Sequence, residues 1–246
     1  MARAGSAKHR DRLVANGLAH KIRNSLNTMR AHIALAQKFT TLSSEQHLPR
    51  QIDKLEEAVV GLEEVIKEFL AFASPAQDEW QEVDLASVAR EVLDFVGLDL
   101  EQGGVCVVEE FTAHLPQVYV DRAKLKRAIL NLVVNARQAM PEGGRLVVRA
   151  KSARGHIVLE VSDTGTGIPP EEQPRVFEPF FTTKPDGLGL GLPVVKRTIE
   201  DFGGRTSFES RPGQGTTFQI LLPSAARQRA ALERHAGRQQ WLDPVS

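Results

Sequence analysis

Asn131-Leu-Val-Val-Asn135-Ala, Asp163-Thr-Gly165-Thr-Gly167, Phe177-Glu-Pro-Phe180-Phe181-Thr-Thr-Lys184 and Gly187-Leu-Gly189-Leu-Gly191-Leu follow one another in this order. Each is ambiguous alone, because glycine-rich loops and Asn-bearing helices are common; four in series point to one pocket. Asn131 and Asn135 lie four apart on a helical pattern, so both side chains project from one face. Amide oxygens at that spacing suit Mg²⁺, which keeps much of its hydration and needs few protein ligands. On their own they would equally cap a loop or bond across a buried seam. Asp163 closes an apolar strand pattern, where a carboxylate can accept from an exocyclic amine or simply open a turn. Gly165 and Gly167 let backbone approach a flat ligand closely. Gly187, Gly189 and Gly191 run into a helical pattern, Leu192–Phe202, and N–H groups at such a start favour phosphate. Lys184 either reaches a terminal phosphate or is a solvated lysine of a short lid that Phe177, Phe180 and Phe181 anchor.

Working outward, residues 83–223 alternate helix and strand. The spacing predicts helices over Asp84–Val96, Asp121–Met140 and Leu192–Phe202, the last ending at Gly203-Gly204. Strands are expected over Val105–Glu110 and Thr217–Leu222, with Leu146–Ala150 and Ile157–Val161 as a hairpin-like pair. The class is α+β, a mixed sheet covered on one face by helices. Gly213-Gln-Gly215-Thr216-Thr217-Phe reads as a hairpin. Ala73-Ser-Pro-Ala-Gln-Asp reads as linker, so residues 73–82 are taken to join two domains, and 224–246 as an exposed tail.

Residues 9–72 read as a helical hairpin. Val14, Leu18, Ile22, Leu26, Met29 and Ile33 share one stripe of a helix over 9–38. Leu55, Val59, Leu62, Ile66 and Phe69 share another over 45–72, with Pro49 near the connection. Two helices cannot enclose a core, so a homodimer forming a four-helix bundle is the simplest closure. His20 lies off the stripe, on the side of Asn24 and Asn27. A core histidine would sit on the stripe; an exposed neutral imidazole is a competent nucleophile near pH 7.

The four segments resemble the N, G1, F and G2 boxes of the sensor histidine kinases, and Leu18-Ala-His20-Lys-Ile-Arg-Asn24 resembles their phosphoacceptor box. The likeness is closest to the nitrogen-regulation-like subgroup. It implies a dimerisation and phosphotransfer hairpin over 9–72 and an ATP-binding domain of Bergerat type over 83–223. It implies ATP and Mg²⁺ as cofactors, with Asp163 reading the adenine amino group. Metal contacts come from Asn131 and Asn135, and phosphate contacts from Lys184, Gly187, Gly189 and Gly191. Asn131 stands where related hydrolytic ATPases carry a Glu, which favours phosphoryl transfer to protein. His20 is the expected phosphoacceptor, and Asn24 matches the position that orients water in dephosphorylating the partner, a response-regulator receiver domain. Two residues depart from the pattern: Lys21 replaces the usual acid after the histidine, and Ser25 the usual proline. Lys21 cannot take the imidazole proton, so a phosphatase or a regulatory pseudokinase is the alternative.

Composition agrees with a globular protein: of 246 residues 41% are hydrophobic and 25% charged, with 31 basic residues balancing 31 acidic ones. That balance gives no basic field for nucleic acid. No apolar run approaches the roughly 18 residues of a membrane span, and the basic N-terminus lacks the apolar core of a secretory signal. A cytoplasmic protein is expected. About a dozen residues precede the histidine helix, so the chain is either a fragment or takes its signal from a separate sensor protein. The single cysteine, Cys106, reads as a small buried hydrophobe in Gly-Val-Cys-Val-Val.

Overall fold

The computed structural model describes residues 22, 26–35, 52–56, 59, 79–184, 187 and 189–229. His20, Lys21, Asn24 and Ser25 lie outside the described residues, as does most of the expected hairpin. The chain comprises two compact units: Met1–Ala76 with Phe177–Leu190, and Gln77–Val176 with Gly191–Ser246. In the first, residues 26–35 and 52–56 are helical, within the helices expected over 9–38 and 45–72.

The second unit runs β1 (Trp80–Val83), α1 (Leu85–Gln102), β2 (Val105–Phe111), β3 (Val118–Asp121), α2 (Arg122–Ala139), β4 (Gly144–Ala153), β5 (His156–Asp163), a 3₁₀ turn at Gln173–Arg175, α3 (Gly191–Asp201), β6 (Arg205–Arg211) and β7 (Gly215–Pro223). The main sheet has the order β2-β4-β5-β7-β6, and β1 pairs with β3 apart from it. Only β2 and β4 are parallel; the other pairs are antiparallel. The mixed sheet and its helices confirm the α+β class.

Period-two alternation selects the faces. Leu146, Val148 and Ala150 of β4, with Ile157, Leu159 and Val161 of β5, are buried to 1% or less, as are Ile220 and Leu222 of β7. Val88 and Val92 of α1, Ile129 and Leu132 of α2, and Val195 and Ile199 of α3 close that face. Each such aliphatic side chain contributes about 1.5–3 kcal/mol when fully buried. The opposite face carries charge. Glu160 accepts from Arg149 at 2.9 Å and from Lys151 at 2.8 Å, and Arg149 also meets Glu110. A charged outer face suits a two-layer sandwich with one wet side.

Several boundaries differ from expectation. Asp84 and Asp121 are N-caps, accepting from the Ala86 and Lys124 amides at 3.0 Å, because a short carboxylate satisfies first-turn donors better outside the helix. α1 runs on past Val96 to Gln102, anchored by Leu100 at 1% exposure. It stops at Gly103 and at Gly104, whose φ of 69° suits glycine. The end of the expected linker is a strand: Trp80 pairs with Asp121 and packs on Tyr119 and Phe202, with ring centroids 5.7 and 5.4 Å away. The tail expected to be exposed opens as a short helix over 225–229, with Ala226, Arg227 and Arg229 exposed but its start packed. Ser224 and Ala225 are buried, and Gln228 donates to the Phe202 carbonyl at 2.8 Å. Cys106 is exposed, contrary to expectation. β2 is an edge strand, and Cys106 sits on its face away from the helices, one residue out of phase with buried Val105.

Candidate functional site

The first half of the site stands on α2 and the start of α3. Asn131 donates from Nδ2 to the Gly191 carbonyl at 3.3 Å. A Cβ on Gly191 would lie 3.9 Å from both Asn131 Oδ1 and Asn135 Nδ2. The expected amide pair therefore does share one face, and that face meets the opening of α3. Among the described residues no group of three or more His, Cys, Asp or Glu side chains could hold a metal. The donors at hand are amides, which fit a hydrated Mg²⁺ whose remaining ligands are phosphate and water.

The second half is the loop after β5. Asp163 ends the strand at 6% exposure, and its Oδ1 accepts from the Gly165 amide at 2.9 Å and the Thr216 amide at 3.2 Å. Burial pushes the carboxyl pKa above its ordinary range, while those two N–H groups pull it back. Both donors converge on one oxygen. Among the described residues no hydrogen bond engages Oδ2, and no fully buried side-chain polar atom lacks a partner. Oδ2 is therefore the oxygen left open to a ligand.

The glycines of this loop serve the protein first. A Cβ on Gly165 would strike the Ala139 carbonyl, and one on Gly167, at φ 70°, the Arg211 carbonyl. Thr166 donates to that same Ala139 carbonyl at 3.0 Å. The expected close approach is thus to α2 and β6. Thr216, Ser210 and Gln173, which hold this loop, went unassigned. Only the Gly213–Thr217 hairpin gave a signal for Thr216, and Ser210 gave none.

The lid belongs to the other unit. Phe180 adopts φ 67° and donates to the Gly189 carbonyl at 3.1 Å. Gly189, at φ 67°, has no room for a Cβ against the Phe180–Phe181 backbone, so this crossing demands glycine. The Thr182 hydroxyl accepts from the Lys184 amide at 3.1 Å and would sit 2.8 Å from a Cβ on Gly187. Lys184 is half-buried, and burial pushes its ammonium pKa below its ordinary value. A cavity of about 960 Å³, lined by Trp80, Tyr119, Phe202 and Arg205 among others, involves none of the motif residues. No helix among the described residues is long and apolar enough to cross a membrane.

Residues 120–226 match the family described as histidine kinase-, DNA gyrase B- and HSP90-like ATPase. The sensor histidine kinase ZraS of Salmonella typhi is 34% identical over 229 residues, covering 90% of this chain and 48% of ZraS. The chain thus spans about half the length of this relative. The catalytic domain of histidine kinase ThkA is similar with a TM-score of 0.55 at 31% identity, over 59% of this chain and 96% of that domain. Histidine kinase ThkA in complex with the response regulator TrrA gives 0.70 at 27% identity, over 91% of this chain and 66% of that one. Joined to the ordered motif segments and the mixed sheet that carries them, these likenesses place the chain in the sensor histidine kinase family, of which it carries the catalytic core.

Proposed function

We propose that the chain is an ATP-dependent protein-histidine kinase of a two-component system, with a Bergerat-type nucleotide domain. The observation that carries this reading is Asp163. It is a buried carboxylate with one oxygen fixed by two backbone amides and the other left for an exocyclic amine. Lys184, Gly187, Gly189 and Gly191 are assigned to the phosphates by their match to the family's boxes. Asn131 and Asn135 would hold Mg²⁺ through amide oxygens. The ion would offset charge on the phosphates during transfer.

His20, as neutral imidazole, attacks the terminal phosphorus, ADP leaves, and the phosphohistidine passes its phosphoryl group to an aspartate of a receiver domain. The complex of ThkA with a response regulator supports that class of partner. A homodimer through residues 9–72 follows from apolar surface: Leu26, Ile33, Ile52 and Val59 are each 45–47% exposed in the single chain. A cytoplasmic setting and a separate or preceding sensor region belong to the same reading.

Incubation with γ-labelled ATP tests it. Label should appear on the wild type and vanish in His20→Ala; label retained in that variant would overturn the assignment of His20. A second reading is favoured by Lys21, which cannot act as a base. Here the chain binds ATP but works mainly as a phosphatase, through Asn24, or as a regulatory pseudokinase. General-base assistance is worth about 10²- to 10⁴-fold, so under this reading Lys21→Glu should speed labelling visibly while ATP affinity holds. Brisk labelling of the wild type with no gain in Lys21→Glu would remove the second reading.

A further inference from the structure

We propose that Ser210 is a positioning residue for nucleotide selection: its hydroxyl locks the loop after β5 to the start of β7, so that two backbone amides converge on Asp163. The inference rests on the reading of Asp163 as the adenine-recognising group. Ser210 Oγ accepts from the Ile168 amide at 2.8 Å and lies 3.2 Å from the Gly215 carbonyl and 2.9 Å from Thr216 Oγ1. A hydroxyl has one proton and two lone pairs. With the proton on the Gly215 carbonyl, the lone pairs take the Ile168 N–H and the Thr216 O–H, and every capacity of Ser210 is used. Gln173 clasps the same junction, donating from Nε2 to the Ile168 carbonyl at 2.9 Å and the Ser210 carbonyl at 3.3 Å.

What this junction sets is the separation of two donors that start on different segments. The Gly165 amide belongs to the loop and the Thr216 amide to β7, yet both reach Asp163 Oδ1. There is little slack, since a Cβ on Gly215 would collide with the Asp163 carbonyl. Thr216 is itself 5% exposed. If the loop slid from β7, one amide would leave Oδ1, the carboxylate would turn, and Oδ2 would lose its aim at the base.

The test uses the full chain and calorimetric affinities for ATP and GTP, because GTP carries a carbonyl where adenine carries its amine. Ser210→Ala should weaken ATP binding about tenfold, the scale of one well-made buried hydrogen bond, and leave GTP within about twofold. Ser210→Thr, which keeps the hydroxyl on a strand that tolerates branching, should restore the ATP:GTP ratio to within about twofold of the wild type. Thr216→Val removes only the hydroxyl that meets Ser210 and keeps the amide, so it should lower the ratio too. It decides the matter if Ser210→Ala fails to fold. Equal losses for both nucleotides, or an unchanged ratio in Ser210→Ala or, failing that, Thr216→Val, would overturn the role of Ser210. Asp163→Ala binding ATP like the wild type would overturn the adenine reading and this inference with it. Loss in Asp163→Ala beside an unmoved ratio in Ser210→Ala would sink the inference alone.

Discussion

Asp163 and Lys184 carry opposite charges, and burial pushes each towards its neutral form, the carboxyl up from 3.8 and the ammonium down from 10.5. They differ in what answers that burial. Two backbone amides draw Asp163 back towards ionisation, whereas the lowering at Lys184 is caused by burial. The domain that holds Asp163 thus fixes one of its carboxyl oxygens on a frame of two backbone donors. Under the function proposed above, Asp163 serves the base and Lys184 the phosphates.

The sharpest way to break this contrast is Asp163→Ala. A hydrogen bond to a charged group is worth about 1.5–3 kcal/mol, so ATP affinity by calorimetry should fall about 10- to 150-fold, with preference over GTP lost. Next, Lys184→Met should weaken ATP and GTP alike by about tenfold, leaving their ratio alone, and the deficit should shrink at high salt as screening grows. A change in the ratio would mean that Lys184 takes part in base selection and that the division of labour is wrong.

Smaller effects concern the unliganded fold. The raised pKa of Asp163 means that its contribution to stability is full below 3.8 and is lost as pH rises through the raised value. Asp163→Asn keeps an acceptor for Gly165 and Thr216 but carries no charge. It should raise the thermal midpoint at pH 7, and the gain should fade as pH falls towards 3.8; a gain independent of pH would contradict the burial argument. The sign is opposite for Lys184, whose contribution is full above 10.5 and lost as pH falls through its lowered value. As a baseline, Glu200→Ala removes an exposed pair with Lys196 at 4.0 Å on α3. It should cost no more than about 0.5 kcal/mol in chemical denaturation and leave nucleotide affinity unchanged.

The long elements could be read because their periodicity is local: α2 shows its apolar face and its asparagine face within a few turns. β1 and β3 escaped because four residues carry no periodic signal, and they exist only by pairing with each other. β6 escaped for a different reason. Arg205-Thr-Ser-Phe-Glu-Ser-Arg211 offers one large apolar residue, and its strand character comes from β7 alongside. Cys106 was misread because alternation tells which residues share a face but not which face the helices cover.

Sequence alone settled the residue types of the pocket and their order: paired amides on a helix, an acid at a strand end, glycines before a helix. Those are set by local geometry, 3.6 residues per turn and two per pleat, and by the few residues that tolerate left-handed backbone. Only the tertiary structure decided that Gly165 and Gly167 are required by carbonyls of Ala139 and Arg211, and that Thr216 and Ser210 complete the acceptor around Asp163. The bond from Ile168 to Ser210 spans 42 positions of the chain, and that from Thr216 to Asp163 spans 53. Hydrogen bonds across such separations depend on strand register, and register is fixed by the burial of whole sheet faces, which no short stretch of sequence contains.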